Sequence, residues 1–157
     1  MYRFAIVASE YNSVIMDRLI EGAVRALKDQ KQVNLIRVPG SFELPLAAKR
    51  AAQSKKYDAI VALGCVVRGE TPHFEYISRE ASRGVARVSL DADLPVVFGI
   101  LTTDNVDQAL ARADGVERNR GAEAARTAIE MASLLRLLKA DSQRATRPRK
   151  ASKRRTR

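Results

Sequence analysis

The sequence is poor in the residues from which metal and redox sites are built. Its 157 residues include one histidine, one cysteine and no tryptophan. One cysteine excludes an internal disulfide and suits a reducing cytosol. One cysteine and one histidine are also too few to form the ligand set of a metal ion. The dinucleotide pattern G-x-G-x-x-G and the phosphate-loop pattern G-x-x-x-x-G-K-[ST] are also absent. These absences predict proton-transfer and carbonyl or amine chemistry without a cofactor.

Long hydrophobic runs are also missing. Although 46% of the residues are hydrophobic, no run approaches the ~20 apolar residues that a membrane-spanning helix needs. The N-terminus leads directly into the apolar residues 4–8, with no basic region and no cleavage site of an export signal. We therefore expect a cytoplasmic protein with one globular domain.

The basic charge is concentrated at the C-terminus. Of the net charge of +10, residues 144–157 carry +8, because they contain eight lysines or arginines and no acidic residue. Residues 1–143 carry only +2 and form the predicted domain. The segment 144–157 has no apolar periodicity and is predicted to be a disordered basic tail. Such a tail is either a solvated extension or a site for polyanions such as RNA.

Strand and helix patterns alternate along the rest of the chain. The expected strands are 1–8, 33–38, 58–67 and 94–101, and the expected helices are 14–28, 46–52, 72–84, 106–113 and 121–139. Buried strands that alternate with helices form a parallel sheet with helices on both faces. Right-handed crossovers then favour an α/β, three-layer flavodoxin-like sandwich with strand order 2-1-3-4.

In such a sheet, ligands bind beyond the carboxyl ends of the strands, where the loops 9–13, 39–43, 68–73 and 99–105 meet. Thr71 is expected to cap the third helix and Pro72 to occupy its first position, which leaves free backbone N–H groups for a phosphate. A lone histidine usually has a structural role, but His73 lies beside this predicted anion site. Tyr11 and Phe42 lie in neighbouring loops and either stack on a planar ring or fill the core.

Three segments, in this order, resemble the signatures of the lumazine synthase family: 38–45 (VPGSFELP), 63–76 (LGCVVRGETPHFEY) and 95–105 (PVVFGILTTDN). The similarity continues through 111–113, 119–125 and 130–132, and covers roughly residues 3–138. The resemblance implies a cofactor-independent condensation of 5-amino-6-(D-ribitylamino)uracil with 3,4-dihydroxy-2-butanone 4-phosphate. The products would be 6,7-dimethyl-8-ribityllumazine, phosphate and water.

The resemblance also implies roles for individual residues. His73 would move protons, and the phosphate would lie against Gly69, Glu70 and Thr71. The ring and ribityl chain would contact Tyr11, Ser41, Phe42, Glu43, Val66 and Val67. A neighbouring subunit would contribute Phe98, Arg112, Arg120 and Glu123, with Arg112 on the phosphate and Glu123 near His73.

Family members form homopentamers, many of which build an icosahedral shell, and the resemblance also implies association with riboflavin synthase. Two positions depart from the usual pattern, since Arg120 stands where many members have lysine and Cys65 where threonine is common. The second class of function is a non-catalytic protein that binds lumazine or, through its tail, RNA. Intact His73, Arg112 and Glu123 favour the enzyme.

Overall fold

The computed structural model describes residues 1–115 and 118–145, and its strands and helices alternate as expected. The strands are β1 (Arg3–Ser9), β2 (Gln32–Val38), β3 (Ala59–Val67) and β4 (Val96–Thr103). The helices are α1 (Ser13–Ala26), α2 (Leu44–Gln53), α3 (His73–Ala92), α4 (Val106–Ala113) and α5 (Arg120–Ala145). None of the described helices is long and apolar enough to cross a membrane.

The four strands form one parallel sheet in the order β2-β1-β3-β4, which confirms the predicted topology. Phe4 of β1 lies opposite Val33 of β2 on one side and Ala59 of β3 on the other. The sheet then continues from Ile60 of β3 to Val96 of β4. The carboxyl ends of all four strands therefore lie at one edge.

Alternate residues of the central strands enter two separate cores. Phe4 and Ile6 pack with α1, α4 and α5, whereas Ala5 and Val7 pack with α2 and α3. This alternation follows from the period-two geometry of a strand, whose side chains point to opposite faces. Both faces of the sheet are covered, which gives the three-layer α/β flavodoxin-like fold that the sequence predicted.

Both predicted ends of helix α3 were wrong. Helix α3 continues to Ala92 rather than ending near residue 84. Gly84 lies within the helix because Pro45 packs against it, and a Cβ there would lie 2.5 Å from Pro45 Cγ. The same helix begins at His73 after Pro72, and the Thr71 hydroxyl is a long 3.5 Å from the His73 backbone N. Ser41 lies in a 3₁₀ turn that precedes α2.

The last helix is longer than expected at its C-terminus. Helix α5 ends at Ala145 instead of residue 139, so that it includes the first two residues of the predicted tail. Residues 146–157, to which the rest of that prediction applies, lie outside the described residues. Asn105 caps the start of α4, since its side chain accepts a hydrogen bond from the Gln108 backbone N at 2.9 Å.

An ion pair at the amino end of the sheet predicts an acid-dependent stability. The Asp58 carboxylate accepts hydrogen bonds from the Arg3 backbone N at 2.8 Å and from its guanidinium at 3.1 Å. Partial burial by itself would raise the pKa of Asp58, but the hydrogen bonds from Arg3 outweigh it and hold the pKa below 3.8. A lowered carboxyl pKa stabilises the fold above the unfolded-state value, and this contribution disappears as the pH falls through the folded-state pKa.

We therefore expect Asp58→Asn to lower the free energy of unfolding at about pH 7, with a difference from wild type that shrinks as the pH falls. Asparagine keeps an acceptor for the Arg3 backbone N but loses the charge. Urea unfolding at a series of pH values measures the effect. A difference that stays constant into acid would contradict this account of Asp58.

Candidate active site

A cavity of about 580 Å³ opens at the carboxyl edge of the sheet, and we call it the loop cavity. Its walls come from the loops after β1, β2 and β3, from the last residues of β3 and from the first turn of α3. The lining residues are Tyr11, Asn12, Pro39, Gly40, Ser41, Phe42, Glu43, Cys65, Val66, Val67, Gly69, Thr71, His73, Phe74 and Ile77.

The loop after β1 is held in place by its own backbone and by Asn12. The Tyr11 backbone N donates a hydrogen bond to the Pro39 carbonyl at 3.2 Å, which joins this loop to the loop after β2. Asn12 adopts a left-handed backbone conformation with φ 61°, a conformation that asparagine tolerates better than most residues. Its Nδ2 donates to the Cys65 carbonyl at 2.9 Å. Tyr11 is therefore presented on a fixed backbone, with its side chain 72% exposed.

The loop after β2 places a buried hydroxyl beside an exposed aromatic ring. Ser41 is 6% exposed, whereas Phe42 is 56% exposed. Ser41 fits there because Gly64 of β3 has no side chain, and a Cβ at Gly64 would lie 2.6 Å from the Ser41 Oγ. The absence of a side chain in a strand thus makes room for a polar group of the cavity.

Arg68 anchors the loop that follows β3. Its backbone N donates to the Thr103 carbonyl at 2.8 Å, and its side chain pairs with Asp104 at 2.9 Å and with Glu75 at 3.6 Å. The guanidinium also lies 4.5 Å from the ring centre of Phe74. The hydrogen bond with Asp104 is the main cause that raises the pKa of Arg68. Arg68 therefore ties the end of β3 to both β4 and α3, and sets the span of the loop between them.

The segment 69–73 is suited to an anion. Gly69 has no heavy atom within 4 Å of the place where a Cβ would lie, so that its backbone is open to a ligand. No side chain forms an N-terminal cap hydrogen bond on α3, and the N–H groups of a helix's first turn need acceptors. His73 is the first residue of that helix and lines the same cavity. His73 thus shares one wall with the N–H groups of this first turn. Of these, the Glu75 N–H donates to the Pro72 carbonyl at 3.0 Å, and the His73 N–H has only a long 3.5 Å contact with the Thr71 hydroxyl.

Cys65 lies in the wall of the cavity as a neutral thiol. Burial raises the pKa of Cys65 to about 11. The thiolate, which is the nucleophilic form, is therefore disfavoured at neutral pH. Cys65 serves the cavity through its backbone carbonyl, which accepts the Asn12 hydrogen bond.

A second cavity of about 640 Å³ lies between β4, α4 and α5, and we call it the arginine cavity. It is lined by Phe98, Ile100, Leu101, Thr102, Ala111, Arg112, Arg118, Arg120 and Glu123. The Arg120 guanidinium pairs with Glu123 at 3.0 Å, and the Arg112 guanidinium donates to the Gln108 carbonyl at 3.0 Å. Its three guanidinium groups and single carboxylate favour an anionic ligand.

The predicted site residues divide between these two cavities. The loop cavity contains His73, Tyr11, Ser41, Phe42, Glu43, Val66, Val67, Gly69 and Thr71, and the arginine cavity contains Phe98, Arg112, Arg120 and Glu123. Glu70 lies between two lining residues without lining either cavity. The linings share no residue, so that one chain does not bring the two sets together.

Sequence reasoning assigned no site role to Arg68, Asn12 or Arg118. Arg68 and Asn12 anchor the loops around the loop cavity, and Arg118 is a third arginine in the lining of the arginine cavity. Arg68 and Asn12 act on partners 36 and 53 residues away, and no local pattern predicts such pairs. Arg118 offered a signal, because it stands one residue before the Asn119-Arg120-Gly121 match.

The fold and the cavity together define an α/β protein that binds a small molecule at the carboxyl edge of a parallel sheet. Residues 1–136 match the sequence model of the 6,7-dimethyl-8-ribityllumazine synthase family. This match spans most of the chain, and the chain belongs to that family.

Members of this family are cofactor-independent transferases of riboflavin biosynthesis. They condense 5-amino-6-(D-ribitylamino)uracil with 3,4-dihydroxy-2-butanone 4-phosphate. The products are 6,7-dimethyl-8-ribityllumazine, phosphate and water. This reaction is the function of the chain.

Proposed function

We propose that each catalytic site combines the loop cavity of one subunit with the arginine cavity of a neighbour in a ring-shaped homopentamer. One observation carries this proposal. Among the described residues that line the loop cavity there is no lysine or arginine, although one substrate is a phosphate ester. The guanidinium groups that would neutralise that phosphate lie in the arginine cavity of the same chain. A second copy of the chain supplies them if the two cavities face each other.

In this arrangement the loop cavity holds the ring and moves the protons. Tyr11 stacks on the pyrimidine, Val66 and Val67 contact its edge, and the loop 41–43 (Ser41, Phe42 and Glu43) contacts the ring and the ribityl chain. His73 accepts and returns the protons that imine formation and phosphate elimination require. Its position in the first turn of α3 supports this role, because the segment proposed to hold the phosphate (Gly69, Glu70 and Thr71) directly precedes that helix.

The neighbouring subunit supplies the positive charge. Arg112 pairs with the phosphate through two parallel N–H donors, which also stabilises the phosphate as it leaves. Phe98 closes the apolar side of the site, and the Arg120–Glu123 pair brings a carboxylate near His73.

Exposed apolar side chains support self-association. Leu90 of α3 is 83% exposed, and Tyr76 of the same helix is 64% exposed. Helix α5 adds Leu134, Leu137 and Leu138. Such side chains on one small domain are typical of a surface covered by a partner, and a closed ring covers them with copies of the chain.

We extend the proposal to a cytoplasmic shell of pentamers that associates with riboflavin synthase, the enzyme that consumes the product.

A subunit-mixing experiment tests the shared site. We expect His73→Ala and Arg112→Ala to be strongly impaired when each is assembled alone. Rings that contain both variants in equal amounts should regain up to about a quarter of wild-type activity, because that share of sites has two intact halves. Lumazine formation is followed by absorbance and fluorescence.

The matched control mixes His73→Ala with Tyr11→Ala. Both substitutions alter the loop cavity, so that no site in these rings is intact and no activity should return. Equal recovery in the two mixtures, or none in either, would reject a site shared between subunits.

The basic tail is a candidate for polyanion binding apart from catalysis. Residues 146–157 include seven lysines or arginines and no acidic residue, a composition that binds nucleic acids with strong salt dependence. We expect deletion of residues 146–157 to leave turnover within about twofold of wild type and to abolish salt-sensitive binding of a short single-stranded RNA. A large loss of turnover in correctly assembled deleted protein would contradict a peripheral tail.

A further inference from the structure

The arginine cavity contains one more guanidinium than the family resemblance assigned. Arg118 lines it together with Arg112 and Arg120. Glu123 pairs with Arg120 at 3.0 Å and so neutralises one of the three charges. Arg112 donates only to a neutral carbonyl. No ion pair or hydrogen bond joins the Arg118 guanidinium to another described residue. Among the described residues, two of the three positive charges of the cavity, those of Arg112 and Arg118, therefore have no acidic partner.

The backbone around Arg118 is held close to the end of α4. The Asn119 Nδ2 donates to the Ala113 carbonyl at 2.5 Å and to the Arg18 carbonyl at 2.9 Å. Its Oδ1 accepts from the Ala122 backbone N at 2.9 Å, and Asn119 is 4% exposed. Arg118 directly precedes this anchor, while Arg112 directly precedes Ala113. The hydrogen bond between Asn119 and Ala113 thus keeps the two arginines on adjoining walls.

We propose that Arg118 is a second phosphate-binding residue that gives the site its preference for a phosphate dianion, an inference that rests on the proposed function. A phosphate monoester carries about −1.5 to −2 charges at neutral pH, because its second pKa is about 6. The charges of Arg112 and Arg118 match that value, whereas Arg112 alone leaves half of it unpaired. Arg118 therefore sets the affinity for the phosphorylated ketone and contributes nothing to binding of the uncharged ribitylaminouracil.

Steady-state kinetics of Arg118→Gln tests the proposal. We expect KM for the phosphorylated ketone and the inhibition constant of inorganic phosphate to rise together by about 10-fold or more, the usual effect of losing a hydrogen bond between charged groups. KM for ribitylaminouracil should stay unchanged. Arg118→Lys, which keeps the charge, should recover part of the affinity. The salt dependence of KM for the ketone should weaken in Arg118→Gln.

The matched control is Arg126→Gln, since Arg126 is exposed on α5 and lines neither cavity. Unchanged constants in an active, assembled Arg118→Gln protein would overturn the proposal, and so would an equal change in the Arg126 variant. Failure of the proposed shared site would appear separately, as equal recovery or no recovery in the two subunit mixtures. In that case, calorimetric titration with inorganic phosphate still tests Arg118, and identical affinity in wild type and Arg118→Gln would overturn its role.

Discussion

We expect Arg112→Ala to lower kcat/KM for the phosphorylated ketone by about 100-fold or more, because truncation of a charged partner at a binding site costs several kcal/mol. In the proposed site, Arg112 has the planar donor pair that a phosphate accepts, and Arg120 is occupied by Glu123 at 3.0 Å. The described lining of the loop cavity contains no lysine or arginine, so that on its side only backbone amides, the Thr71 hydroxyl and His73 are available to the phosphate. The loss should appear in kcat as well as in KM, since the phosphate gains charge as it leaves.

The conservative variant Arg112→Lys separates charge from geometry. Lysine keeps the charge but cannot form two parallel hydrogen bonds, so that we expect intermediate activity. Initial rates at varied ketone concentration measure both variants. Because the Arg112 side chain is exposed and bonds only to a carbonyl of its own helix, thermal unfolding should be nearly unchanged. A kcat/KM within threefold of wild type for Arg112→Ala would reject its role.

Among glycine-to-alanine substitutions of the described residues, Gly121→Ala should be the most destabilising. A Cβ at Gly121 would lie 2.0 Å from the Leu19 carbonyl oxygen and 2.7 Å from its carbon. These are backbone atoms of α1, which cannot rotate away as a side chain would. Helix α5 would have to move off α1, and overpacking of this kind costs about 3 kcal/mol or more. For a domain of this size, Tm should fall by about 10 °C.

The better helix propensity of alanine opposes this effect by about 1 kcal/mol at most. The net effect on the free energy of unfolding is therefore destabilising. Gly69→Ala is the control for stability, because nothing lies within 4 Å of its added methyl group. That variant should unfold within a few degrees of wild type. Calorimetry or circular dichroism measures both. A Gly121→Ala protein with the Tm of wild type would show that α1 and α5 are not packed this closely.

Much of the fold was predictable because it depends on local patterns. The apolar residues 4–8 and 59–63 are buried on both faces of the sheet, and such runs can be recognised without tertiary information. The error at Gly84 shows the limit of that reasoning. A glycine in a helical pattern indicates either a terminus or a close neighbour, and only the position of Pro45 decides between them.

The sequence by itself determined the alternating elements, the strand order and the place of His73, because His73 directly follows the loop after β3 along the chain. Tertiary structure alone decided that the arginines open into a cavity separate from His73, and that Arg118 is one of them. The contacts that hold these walls join residues far apart in sequence, such as Asn119 and Arg18, which are 101 positions apart. Periodicity reports which face of one element is buried, whereas pairing between elements depends on shape and hydrogen bonding across the folded chain.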